Sequence, residues 1–157
     1  MTHWLWLSLV VIVLDQASKQ VAESLLTLYE SVKVLPFFDL TLLYNKGAAF
    51  SFLSNQGGWQ RWFFILLAIV VCMVLVGWLW RLKREEQWVA VALSLIIGGA
   101  IGNVIDRILF GQVIDFLHFH YQQHYFPAFN VADSAITLGV IIMLYDALIL
   151  AKRRESQ

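Results

Sequence analysis

The stretch WQRWFFILLAIVVCMVLVGWLW (59–80) decides the fold. From Trp62 to Trp80 it carries no charged residue, and a membrane crossing needs ~20 consecutive, mostly apolar residues. Trp59 and Trp62 stand at one end, Trp78 and Trp80 at the other. Indole rings settle at the two membrane–water interfaces, so this placement is independent support for a span. The signature repeats outward along the chain. Trp4 and Trp6 open an N-terminal apolar run and Trp88 opens a third, so all seven tryptophans mark run ends. Four helices are expected, at about 4–22, 60–80, 88–107 and 132–151. The two long connections are about 23–58 and 108–131.

Composition agrees. The 157 residues are 60% hydrophobic and only 14% charged, with mean hydropathy +0.70. That balance is too apolar for a soluble domain of this length and points to a polytopic membrane protein with one domain, 1–157. The formal net charge is zero and basic residues are sparse outside two clusters, which argues against nucleic acid as a partner. Cys72 lies inside the second run and reads as a small buried hydrophobe. The first run lacks a basic leader and a small-x-small cleavage site, and it continues through Asp15, Gln16 and Lys19. It is therefore expected to stay as a span.

Basic residues set the expected sidedness. Arg81, Lys83 and Arg84 crowd the short connection 81–87, and Lys152, Arg153 and Arg154 follow the last run. The connection 108–131 has no Lys or Arg, and 23–58 has only Lys33 and Lys46. The positive-inside rule places both termini and 81–87 in the cytoplasm, and both long connections outside it. VKVLPFFDLTLLYN (32–45) is β-branched and aromatic with a break at Pro36, and NKG (45–47) is turn chemistry. A small extracytoplasmic sheet is expected there. FLHFHYQQHYFPAF (116–129) is aromatic and carries no charge apart from histidines. It reads as a short interfacial segment.

Ionisable residues are costly at membrane depth and mark sites or pairings. Asp15 and Lys19 are four apart, on one helical face. They could tie helices together by a salt bridge or position a substrate. Gly98, Gly99 and Gly102 permit close approach of a neighbouring helix. Asn103, Asp106 and Arg107 share one face, as a polar network or as a mutually neutralising pair. Asn45, Gly47 and Phe50 lie in a turn whose asparagine could also bond an extended substrate. Asn130 and Asp133 have the spacing of a helix N-cap, whose dipole favours a carboxylate there. Asp146 lies ~20 Å further along that helix, outside any shared site, with a contact such as Lys152. His118, His120 and His124 form H-x-H-x3-H, but no HExxH accompanies them. No metal or cofactor is expected. Lys46 with Ser51 or Ser54 could form a Ser-Lys pair, though the spacing does not favour it.

Asp115 and Asp133 are the pair with the sharpest chemistry. Both fall on the expected outer side, in VIDF (113–116) and FNVADS (129–134). Two carboxylates that meet share one proton and their titrations split apart. The ionised member can deprotonate a water and the protonated one can donate to the carbonyl under attack. The residues read as a four-span membrane aspartyl hydrolase. The rival is a small proton-coupled transporter or channel using intramembrane charges. A relay would stagger its charges through the bilayer, whereas these cluster toward one side.

In order along the chain, DQASK (15–19), NKGAAF (45–50), GGAIGNVIDR (98–107), VIDF (113–116) and FNVADS (129–134) resemble signal peptidase II, the lipoprotein signal peptidase family of bacterial membrane aspartyl proteases. The resemblance covers nearly the whole chain. It implies that Asp115 and Asp133 are catalytic. It implies that Asn103, Arg107 and Asn130 support the site, and that Asp15, Lys19 and Asn45 stabilise it or position substrate. Gly47, Asp106 and Ala132 also fall on the matched motifs. The implied fold has four transmembrane helices, a small extracytoplasmic sheet and a short interfacial helix. The implied substrates are prolipoproteins with a diacylglyceryl-modified cysteine, cut just before that cysteine by a cytoplasmic-membrane enzyme that globomycin inhibits. Membrane lipid is the other expected partner, and a monomer suffices.

Overall fold

The computed structural model describes residues 1–47 and 58–150. Phe50, Ser51, Ser54 and Lys152 lie outside the described residues. Among the described residues, four helices are long and apolar enough to cross a membrane. They are α1 (Leu5–Leu25, entered through a 3-10 turn at Thr2–Trp4), α2 (Trp59–Arg81), α3 (Gln87–Phe110) and α4 (Val131–Tyr145, continued by a π turn at Asp146–Leu150). Each expected run becomes a helix, with ends moved by a few residues.

Helix α3 is the axis of the bundle. In its most apolar window 67% of residues are buried, against 11% for α2. Helices α1, α2 and α4 pack around it. Glycines let the backbones meet. A Cβ added at Gly98 would lie 2.8 Å from the Ser8 carbonyl oxygen of α1. One added at Gly99 would run into the Ala132 carbonyl oxygen of α4. From the other side, one at Gly139 would lie 2.7 Å from the Ala92 oxygen. Lipid tails give no hydrophobic drive for helix association, so close packing of this kind has to supply it.

A four-stranded antiparallel sheet, in the order β1-β2-β3-β4, sits at one end of the bundle. Strands β1 (Ser31–Leu35) and β2 (Phe38–Asn45) form an antiparallel hairpin within the expected sheet. Pro36 and Phe37 make its turn, and proline suits that place because its φ is preset and it has no N–H to leave unpaired. The second connection departs from the interfacial segment its composition predicts. Residues 113–121 form β3 and 124–125 form β4, with β3 paired along β2 from Phe38↔Phe119 to Asn45↔Val113. The first four residues of β3 are all buried. That first half is covered on both faces and shows no clean alternation, which appears only in LHFHY (117–121). Among the described residues, neither long connection contains the short interfacial helix. The register brings Leu43 opposite Asp115, which carries Asp115 from the sheet back to the bundle.

Packing at the glycines is testable. Gly99→Ala forces a methyl against a backbone oxygen that cannot yield, and should lower stability by about 1–3 kcal/mol. Gly77→Ala meets nothing within 4 Å and should be neutral, or stabilising by up to about 1 kcal/mol through helix propensity. Thermal melts of the two variants in detergent should separate in that order.

Candidate active site

The polar cluster starts from Lys19. Its ammonium is 1% exposed and lies 2.8 Å from Asp15 Oδ2 and 2.7 Å from Asp106 Oδ2. It also donates to Asn103 Oδ1 at 3.1 Å. The i, i+4 spacing in α1 makes the first contact, and the close packing of α1 on α3 makes the others. Asp15 holds α4 as well, because its Oδ1 accepts from Ala132 N at 2.9 Å. Asp106 reaches the sheet side, accepting from Ile114 N at 3.2 Å. Asp106 and Arg107 thus diverge rather than neutralise one another. The Arg107 guanidinium donates to the Asn103 carbonyl oxygen at 3.2 Å and the Gly47 carbonyl oxygen at 3.1 Å, and lies over the Phe64 ring of α2, 5.2 Å from its centre.

Above this layer three asparagines hold two aspartates. Asn103 Nδ2 donates to Asp133 Oδ1 at 2.8 Å. Asn130 Nδ2 donates to Asp115 Oδ1 at 2.8 Å, and Asn45 Nδ2 to Asp115 Oδ2 at 3.1 Å. Asn130 is also the N-cap of α4, accepting from Asp133 N at 2.9 Å. One amide side chain therefore holds the Asp115 carboxylate with its nitrogen and the backbone of Asp133 with its oxygen. Asn45 Oδ1 accepts from Gly47 N at 3.0 Å, a local turn that fixes the asparagine over the site.

Asp115 and Asp133 both line one cleft of about 1130 Å³. Asn45, Asn103 and Arg107 share its polar part, while Ile136, Leu138 and Ile141 continue its wall along α4. Asp115 lies on β3, outside the spans. Burial pushes its carboxyl up to about 7, and the Asp133 charge adds to the rise. The bonds from Asn45 and Asn130 and the charge of Lys19 oppose it. Near neutral pH this pair can hold one proton between two acids. That is the state in which one acid can accept a proton from water and the other can donate one.

The family model of signal peptidase (SPase) II matches residues 7–149. The chain belongs to the signal peptidase II family. The lipoprotein signal peptidase of Pseudomonas putida KT2440 is 59% identical over 91% of this chain and 85% of its own. That of Acinetobacter baumannii ATCC 17978 is 55% identical over 98% and 87%. A solved bacterial membrane enzyme superposes with TM-score 0.82 at 32% identity, covering 94% of this chain and 91% of the other. With its four spanning helices, this member of the signal peptidase II family is a multi-pass bacterial membrane protein.

Every expected site residue of this family member falls in the one cluster. Gly47 and Ala132 take part through backbone atoms alone, by the bonds already given. Gln16 was missed by sequence reading. Its Nε2 donates to Asp106 Oδ1 at 2.8 Å, to the Gly102 oxygen at 3.2 Å and to Asp15 Oδ2 at 3.2 Å. An amide inside an apolar helix was the available signal. Phe64 was missed too, and an aromatic in an apolar span offers no signal at all. Asp146 is buried at the far end of α4, and its expected contact Lys152 lies outside the described residues. His118 and His120 lie on β3 against Thr41 at 3.3 Å and Asp39 at 3.4 Å, while His124 is exposed.

Lys19→Met leaves Asp15 and Asp106 buried without their cation. A loss of about 3–5 kcal/mol is expected, the range for breaking one side of a buried ion pair. Chemical denaturation in detergent should show it, with the isosteric pair Asp15→Asn and Asp106→Asn recovering part of the loss.

Proposed function

We propose that this chain removes signal peptides from diacylglyceryl-modified prolipoproteins, cutting before the modified cysteine with water activated between Asp115 and Asp133. The meeting of these two acids in one cleft, each held by asparagine N–H groups, carries the proposal. In the singly protonated pair the ionised carboxylate takes a proton from water. The hydroxide equivalent attacks the scissile carbonyl carbon while the protonated acid donates to its oxygen. Collapse of the tetrahedral intermediate breaks the C–N bond, and the leaving amine takes a proton from the pair. No covalent enzyme intermediate is involved.

The supporting residues keep this geometry. Asn103 and Asn130 orient the acids, Asn45 closes over Asp115, and Arg107 pins the turn at Gly47 beside them. The apolar wall along α4 suits a substrate that comes from the bilayer. The sheet end faces away from the cytoplasm, because Arg81, Lys83 and Arg84 lie at the opposite end of the bundle. Both termini are then cytoplasmic, and the chain acts as a single membrane domain without need of a second copy. A proton relay fits less well. The ion cluster lies at the sheet end, and α2 has no charge between Arg61 and Arg81.

With purified protein and a lipid-modified precursor, Asp115→Asn and Asp133→Asn should each lower kcat by about 10²- to 10⁴-fold and leave precursor binding intact. Full cleavage by either variant would refute the pair. The pH dependence has a defined sign. Asp115 is raised to about 7, so the shared proton is lost, and the rate falls, as pH rises through that value. Asn45→Ala removes a bond that lowers the Asp115 pKa. Its alkaline limb should therefore move to higher pH in a kcat–pH profile, and a move to lower pH would contradict the assignment.

A further inference from the structure

The turn from α1 into β1 carries a side chain that folding does not call for. Residues 27–30 close it with the bond from Glu30 N to the Thr27 oxygen at 3.1 Å. Tyr29 stands at its third position with φ +66°. There a Cβ crowds the following carbonyl oxygen, and glycine fits without that strain. The backbone is held in place, because Tyr29 N donates to the Leu42 oxygen of β2 at 3.0 Å and Leu28 bridges Leu42. A bulky residue in this region is an outlier, and such outliers gather at functional sites.

The ring does little for the fold in return. It is 70% exposed, and among the described residues neither a ring contact nor a side-chain hydrogen bond holds it. Yet Tyr29 lines the cleft that contains Asp115 and Asp133. The lining of that cleft runs from Ile136, Leu138 and Ile141 of α4 to Tyr29 and Lys46 on the sheet side. A precursor anchored in the bilayer by its signal segment must send the chain beyond the cut toward the sheet side.

We propose that Tyr29 is a substrate-positioning residue whose ring packs against the peptide segment on the carboxyl side of the scissile bond. This rests on the function proposed above. The segment it meets is extended polypeptide just beyond the modified cysteine. Stacking on such a backbone tolerates varied side chains, as a processing enzyme with many substrates requires.

The test uses the full chain in detergent with two lipid-modified precursors, one long and one truncated directly after the modified cysteine. Tyr29→Gly should melt above the wild type, because the strain is relieved. Its KM for the long precursor should rise by about three- to tenfold, the range for one lost aromatic contact, with little change in kcat. The KM difference should vanish with the truncated precursor, and Tyr29→Phe should behave as the wild type does. An unchanged KM for the long precursor would overturn the proposal. So would an equal rise with both precursors, which would mark Tyr29 as an interfacial anchor instead. If Tyr29→Gly does not fold, Tyr29→Asn makes the same comparison, since asparagine tolerates this backbone. A wild type that cuts neither precursor would overturn the function itself, and this role with it.

Discussion

The buried ammonium of Lys19 orders everything above it. An ammonium has donors only, so the Asn103 side chain must turn its oxygen toward Lys19. Its nitrogen is then committed to Asp133. Asn130 likewise shares the Asn103 oxygen at 3.2 Å and gives its shortest bond to Asp115. The polarity of the whole site, N–H groups pointing at both acids, follows from one positive charge placed between α1 and α3. Asp15 and Asp106 balance that charge and extend its reach, one to the backbone of α4 and the other to the start of β3.

Such a cluster is affordable only at low dielectric if every member is satisfied. The bundle achieves this by placing the polar atoms on the most buried helix. Gly98, Gly99 and Gly102 bring α1 and α4 against α3 on the side where Asn103 and Asp106 project. A Cβ at Gly102 would sit 2.6 Å from Asp15 Oδ2, so the same glycine that admits the neighbouring helix also leaves room for the ion pair. Helix α2 stands apart from this arrangement. It contributes Phe64 beneath Arg107 and the Arg61 bond to the Ile108 oxygen at 2.8 Å, packs Leu79 against Val89, Ala90 and Leu93 of α3, and turns most of its remaining surface outward.

Much of this was legible in the chain. Apolar runs closed by tryptophan place the helices because hydrocarbon thickness fixes their length. The Asn130–Asp133 spacing announces a cap, and the structure contains that cap. The Asp15–Lys19 spacing announces a pair, and the pair is present. What the spacing could not convey was the third member, Asp106, since contacts between helices depend on rotation about their axes and not on local separation. Gln16 was hidden for the same reason. The first half of strand β3 was hidden because both of its faces are covered, which erases the alternation that usually marks a strand. The conformation of Tyr29 has no counterpart in sequence, because its turn lacks the glycine that would have signalled it.

The amide of Asn130 has one more consequence. Asp115 belongs to a strand outside the four candidate spans, and Asp133 to the first turn of one of them. Bilayers differ by a few ångströms in thickness, and immersed helices tilt or slide to match. Two acids mounted separately on such supports would drift in and out of range with each change of lipid. A single side chain that clasps both makes them ride together, so their spacing is a property of the polypeptide and not of the membrane around it.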